Sequence, residues 1–149
     1  MSENLQAVVT SVNDILNDTN LSSLTSVVTG RLVYLGYSPT VTDGWLIAYA
    51  MQKSVNHVLN QINHQTVPDG LREIVVDMIC GEILQGKFLS GQLNMDGLDL
   101  SGIVNSVNMG DTSVSFSTEG SDEAKLQELL RWMIQGKGCD LLCYRKLRW

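Results

Sequence analysis

A chain of 149 residues, 44% hydrophobic and 17% charged, is long enough for one domain with a sizeable core and short for two. That apolar share excludes wholesale disorder. No apolar run approaches the roughly 18 residues of a membrane span. The opening MSENLQAVV has neither the basic nor the apolar region of a secretory signal, so the cytoplasm is the expected starting compartment. The net charge of −6 is unevenly placed. Residues 1–136 carry 15 acidic against 6 basic side chains, a balance of −9, whereas residues 137–149 carry Lys137, Arg145, Lys146 and Arg148 against Asp140, a balance of +3. The body repels phosphates and is a poor non-specific DNA binder; only the tail is basic.

In chain order, Leu5, Val8, Val12, Ile15 and Leu16 share one face of a helix over 3–17. Asn17-Asp18-Thr19-Asn20 is a break rich in capping residues. Leu21, Leu24, Val28, Leu32 and Leu35 mark a second helix over 21–35, with Gly36 as its C′ residue and Ser38-Pro39 preventing continuation. Ile47, Met51, Val55, Val58, Leu59 and Ile62 make the stripe of a third helix over 43–63, capped by Thr42 or Asp43. Pro68 suits the first turn of a fourth helix, and Asp69 and Glu73 sit at its positive end. Leu71, Ile74, Val75, Met78 and Ile79 follow with helical spacing and are the expected centre of the core; this helix is expected to end near Gly86 or Phe88.

Residues 90–102 are rich in Gly and Asp and read as a loop. Ile103 to Met109 and Ser113 to Phe116 alternate about Gly110-Asp111, which predicts a β-hairpin over 103–117. A lone hairpin is marginal in water, so the helices or a neighbouring subunit must cover one face. Ser121-Asp122-Glu123 opens a last helix whose apolar face is Leu126, Leu129, Leu130, Met133 and Ile134, ended by Gly136 and Gly138. The expected fold is mainly α: a bundle of four to five helices within 1–138, one projecting hairpin, and an extended basic tail over 139–149.

Catalytic and metal-binding patterns are missing. His57 and His64 are seven apart without an intervening HExxH pattern, and read as polar-face residues of the third helix. Asp96 and Asp99 lack the spaced ligands and closing Glu of a calcium loop. Cys139 and Cys143 have no further thiol or imidazole nearby in sequence to complete a zinc site, and Cys80 reads as a small buried hydrophobe. No phosphate-binding loop, nucleophile elbow or CxxC occurs. No enzymatic activity, cofactor or metal is expected. The tail, by contrast, places Tyr144, Leu147 and Trp149 beside Arg145, Lys146 and Arg148, and aromatic and Arg residues are the usual anchors of interfaces. The competing expectation is that the tail folds back on its own bundle as a last short helix, since termini need something to tie them down.

Several strings together carry a family resemblance: a helix ending in Leu35-Gly36, an Asp-capped helix, Ile62-Asn63 followed by Val67-Pro68-Asp69-Gly70-Leu71, then Gly110-Asp111-Thr112-Ser113-Val114-Ser115-Phe116, a helix, and Tyr144-Arg145-Lys146-Leu147-Arg148-Trp149. Their order over about residues 21–149 resembles the head–tail connector (adaptor) proteins of long-tailed bacteriophages and related phage-like particles of Gram-positive hosts. GDTSVSF and YRKLRW are the most specific strings, and residues 1–20 lie outside the resemblance.

The resemblance implies a virion protein of the neck, assembled from the host cytoplasm into a homo-oligomeric ring, typically twelvefold, beneath the portal. Such a ring extends the DNA channel without sequence-specific binding and offers a platform to the next neck, stopper or tail-completion protein. It implies a portal-reaching role for Leu141, Leu142, Tyr144, Arg145, Lys146, Leu147, Arg148 and Trp149. Subunit or neck contacts are expected at Val107, Met109, Asp111, Val114 and Phe116 of the hairpin. An acidic body suits a ring around sliding DNA. The alternatives are another neck component, which would be richer in β structure, and a small DNA-binding regulator, for which no helix is basic enough.

Overall fold

A computed structural model describes residues 3–93, 122–135 and 138–147. The described chain is mainly helical, with six α-helices and no strand among these residues: α1 (Glu3–Leu16), α2 (Thr19–Tyr34), α3 (Gly44–Ile62), α4 (Arg72–Leu89), α5 (Asp122–Gln135) and α6 (Gly138–Cys143). Short 3-10 turns, Val41–Asp43 and Asp69–Leu71, lead into α3 and α4. The hairpin expected over 103–117 lies outside the described residues, as does most of the loop expected over 90–102.

Each helix end has a local cause. Asn17 turns left-handed (φ 47°) after α1, and Asp18 caps α2, its Oδ1 accepting from the Asn20 amide at 2.8 Å. After α2 the amide of Gly36 (φ 93°) donates to Val33 and that of Tyr37 to Leu32. After α4 the same pair of bonds recurs, from Gly91 (φ 73°) to Phe88 and from Gln92 to Lys87. Both are Schellman closures, which require a left-handed residue that glycine adopts without Cβ strain. The helix thus ends at Leu89, beside the expected Phe88, with Gly86 inside it and the left-handed stop at Gly91.

Helix α1 packs on α2 and α3, while α4 packs on α2, α3 and α5. Helix α4 is therefore covered on three sides. Val75, Val76, Met78, Ile79, Cys80, Ile83 and Leu84 are all buried, a girdle wider than one stripe. Ile74, expected at the centre of the core, is only partly buried and packs at its margin. Val76 and Cys80 take inner places as well, the Cys80 thiol 3.8 Å from the Val28 carbonyl of α2, because helices cover more of α4 than one face. The close α4–α5 crossing depends on Gly81: a Cβ there would stand 2.9 Å from the Met133 Cβ.

Polar ties set the helix register. Arg31 meets Asp77 between α2 and α4 at 3.1 Å, and Lys53 meets Glu82 between α3 and α4 at 3.1 Å. Ahead of α3, Asp43 is buried; its Oδ2 accepts from the Tyr37 hydroxyl at 2.8 Å and the Thr40 amide at 3.0 Å. Asp43 thus belongs to the 3-10 turn and reaches back to Thr40, rather than simply capping the helix as the sequence suggested.

Candidate functional site

The tail does not run free of the bundle. Residues 138–143 form α6, which packs against α3, and Leu141 is buried in the common core. The chain then crosses the end of α3. There Asn63 turns left-handed (φ 58°) and leaves the Ile62 carbonyl without a partner within its own helix. The Lys146 amide donates to that carbonyl at 2.8 Å. The Asn63 Nδ2 donates to the Lys146 carbonyl at 2.8 Å, and His64 Nε2–H donates to the Tyr144 carbonyl at 2.6 Å. The Tyr144 ring and hydroxyl lie over Gly70, where any Cβ would collide with them.

These contacts hold the tail by its main chain and by Tyr144. Leu142 (63% exposed) and Leu147 (72%) stay in solvent, as do Arg145 and Lys146. No carboxylate pairs with either cation among the described residues. Both lie near the carbonyl end of α3, whose partial negative charge favours cations. Of the residues expected to dock on a partner, the structure thus leaves Leu142 exposed on α6 and Arg145, Lys146 and Leu147 exposed on the strap that follows it. It puts Leu141 inside and seats Tyr144 on the body. Arg148 and Trp149 lie outside the described residues, as do Val107, Met109, Asp111, Val114 and Phe116.

The expected extended tail is corrected to a short helix plus a strap, because Leu141 has a core to join and Ile62 a carbonyl to offer. His64 is corrected too. It lies beyond α3 and grips the tail, while His57 remains on the exposed face of the helix. Sequence reasoning missed the seat itself. Its one local signal was Asn63 directly after the apolar stripe, a residue type that favours a left-handed C-terminal position.

Other surfaces offer less. Trp45 (75% exposed) and Tyr49 stand one turn apart on the outer face of α3, and Trp45 borders a groove along α1 with Glu3 and Asp14. A cleft of about 390 Å³ between the α1–α2 and α3–α4 connections is lined by Asp18, Asn56, Asp69 and Arg72 among others. The Arg72 guanidinium in it already donates to the Ser23 carbonyl at 3.2 Å. No cluster of three His, Cys, Asp or Glu side chains suited to a metal occurs among the described residues. Burial raises the pKa of the Cys80 thiol, which keeps it protonated and unreactive. No described helix is long and apolar enough to cross a membrane.

No protein-family model, no curated protein and no solved structure matches the chain.

Proposed function

We propose that this chain is a head–tail connector of a long-tailed bacteriophage or a phage-like particle. In this reading it is a ring subunit, twelvefold as in the family it resembles, placed beneath the portal at the head–tail interface of the virion. The ring extends the DNA channel and gives the next neck protein a platform. It catalyses no reaction, and DNA passes without sequence-specific contact.

One observation carries the reading. A helical body with a balance of −9 ends in a segment of balance +3, and that segment exposes Arg145 and Lys146 between Leu142 and Leu147. Exposed apolar side chains beside cations that no described carboxylate pairs are what an interface anchor needs: area to bury, and charge to steer an acidic partner. The acidic body lets the duplex slide, since it offers phosphates no grip. Within the same proposal the expected bundle of four to five helices serves as the ring's wall. The hairpin expected over 103–117 serves as the contact to a neighbouring subunit or neck protein, through Val107, Met109, Asp111, Val114 and Phe116.

The test is binding to the portal protein encoded in the same genome. The full chain should co-purify with portal rings, and a chain truncated after Gly138 should not. Equal capture of both chains would refute the tail's role, and capture of neither would refute the connector reading.

A further inference from the structure

We infer that Ile62, Asn63, His64 and Gly70 form a seat that holds the tail's main chain, so that Leu142, Arg145, Lys146 and Leu147 are displayed together as a preformed docking surface for an acidic protein face with apolar hollows. The inference rests on the connector reading above. It adds the body residues that position the tail, and it gives Tyr144 a different job: attachment to the bundle rather than to the partner.

Three features lead there. First, each hydrogen bond across the seat involves the tail's backbone: the Lys146 amide to Ile62, the Lys146 carbonyl from Asn63 and the Tyr144 carbonyl from His64. None uses a side chain that a partner would read. Second, Tyr144 fills the space above Gly70 that any larger residue would occupy, and Leu141 is buried on the near side of the strap. The displayed residues are therefore flanked by an apolar anchor and held from beneath. Third, the seat satisfies a need of the body. The left-handed turn at Asn63 leaves the Ile62 carbonyl at the end of α3 seeking a donor, and the Lys146 amide supplies it.

Ordering the tail in advance removes part of the entropy that a flexible arm would lose on docking. The cations, free of carboxylates among the described residues, remain available to an acidic face. A loose arm hinged at Gly136 and Gly138 would instead gain nothing from the seat.

Two variants open the seat without touching the displayed side chains. Gly70→Ala displaces Tyr144. Asn63→Gly keeps the left-handed turn, which glycine adopts readily, and deletes the side-chain bond to Lys146. Amide hydrogen exchange at Lys146 is read in each variant beside binding of the portal protein from the same genome, with the melting temperature as the folding control. Exchange should quicken about tenfold with the fold retained, and portal binding should weaken about tenfold. Unchanged exchange in both variants would show that the seat does not hold the tail and would overturn the inference. Faster exchange with equal or tighter portal binding would overturn the display role while leaving the connector reading intact. Failure of the unaltered chain to bind the portal protein would overturn the connector reading, and the display with it.

Discussion

Lys87 Nζ stands 2.6 Å from Asp43 Oδ1, with the carboxylate 3% exposed and the lysine 15%. This ion pair joins the start of α3 to the last turn of α4. Burial alone would raise the Asp43 pKa; the Lys87 ammonium, the Thr40 amide and the Tyr37 hydroxyl outweigh it and hold the carboxyl below its ordinary 3.8. A lowered folded pKa means that the unfolded chain takes up this proton first as pH falls. The contribution to stability is therefore complete above the ordinary carboxylate pKa and is lost as pH falls through the folded value. Lys87→Met leaves the carboxylate buried without its cation and should cost about 3 kcal/mol or more at pH 7. The gap to the unaltered chain should narrow at an acid pH, because without the Lys87 ammonium burial favours the protonated carboxyl and the variant's Asp43 takes up its proton sooner as pH falls. Urea melts at the two pH values check this, and a gap independent of pH would contradict it.

The core prediction separates two isoleucines one helical turn and a residue apart. Ile79 is fully buried and Ile74 sits at the core margin. Ile79→Ala should cost about 2–5 kcal/mol and Ile74→Ala clearly less. Chemical denaturation that ranks them the other way would show that α4 turns a different face inward.

Gly81 and Met133 should be energetically coupled. A Cβ at Gly81 would lie 2.9 Å from the Met133 Cβ and 3.0 Å from Ile134 Cγ1, so Gly81→Ala must push α5 outward, at about 1–3 kcal/mol. Cβ atoms so near the backbone cannot swing aside, and a smaller residue at 133 should relieve only part of the strain. Only loss of the Met133 Cβ itself removes the shorter contact, so a double-mutant cycle with Met133→Gly should give a non-zero interaction term. Strict additivity would mean that the helices separate easily at this point.

Truncation after Gly138 has a structural cost besides its functional one. It removes buried Leu141 and the donor to the Ile62 carbonyl. The truncated chain should be about 2 kcal/mol or more less stable, a fall of several degrees in melting temperature. Leu147→Ala, at a side chain left in solvent, should leave the melt unchanged within about 0.5 kcal/mol while weakening portal binding. An unchanged melt after truncation would show that α6 and the strap do not pack as described.

The helices were legible because their signals are local. The stripes of α1 to α4 and the caps at Asp18 and Gly36 lie within a turn or two of what they specify, and the described helices fall within a few residues of the expected spans. What escaped depends on packing between distant segments. Gly81 meets Met133 and Ile134 of α5 from about fifty residues further along the chain. Tyr144 seats on Gly70, and His64 grips the Tyr144 carbonyl, across about eighty residues. No periodicity within either segment announces such a meeting. The displayed side chains were legible by composition, as a cluster of cations and apolar residues, but the seat that orders them was not.

We propose above that this chain forms the ring between portal and tail. Electron cryomicroscopy of the portal vertex in particles that carry this chain tests it most directly. A ring of copies should lie directly beneath the portal, with the strap over residues 144–147 against portal density and the acidic body around the channel. Absence of the chain from the vertex, or its presence elsewhere in the particle, would rule out the connector role.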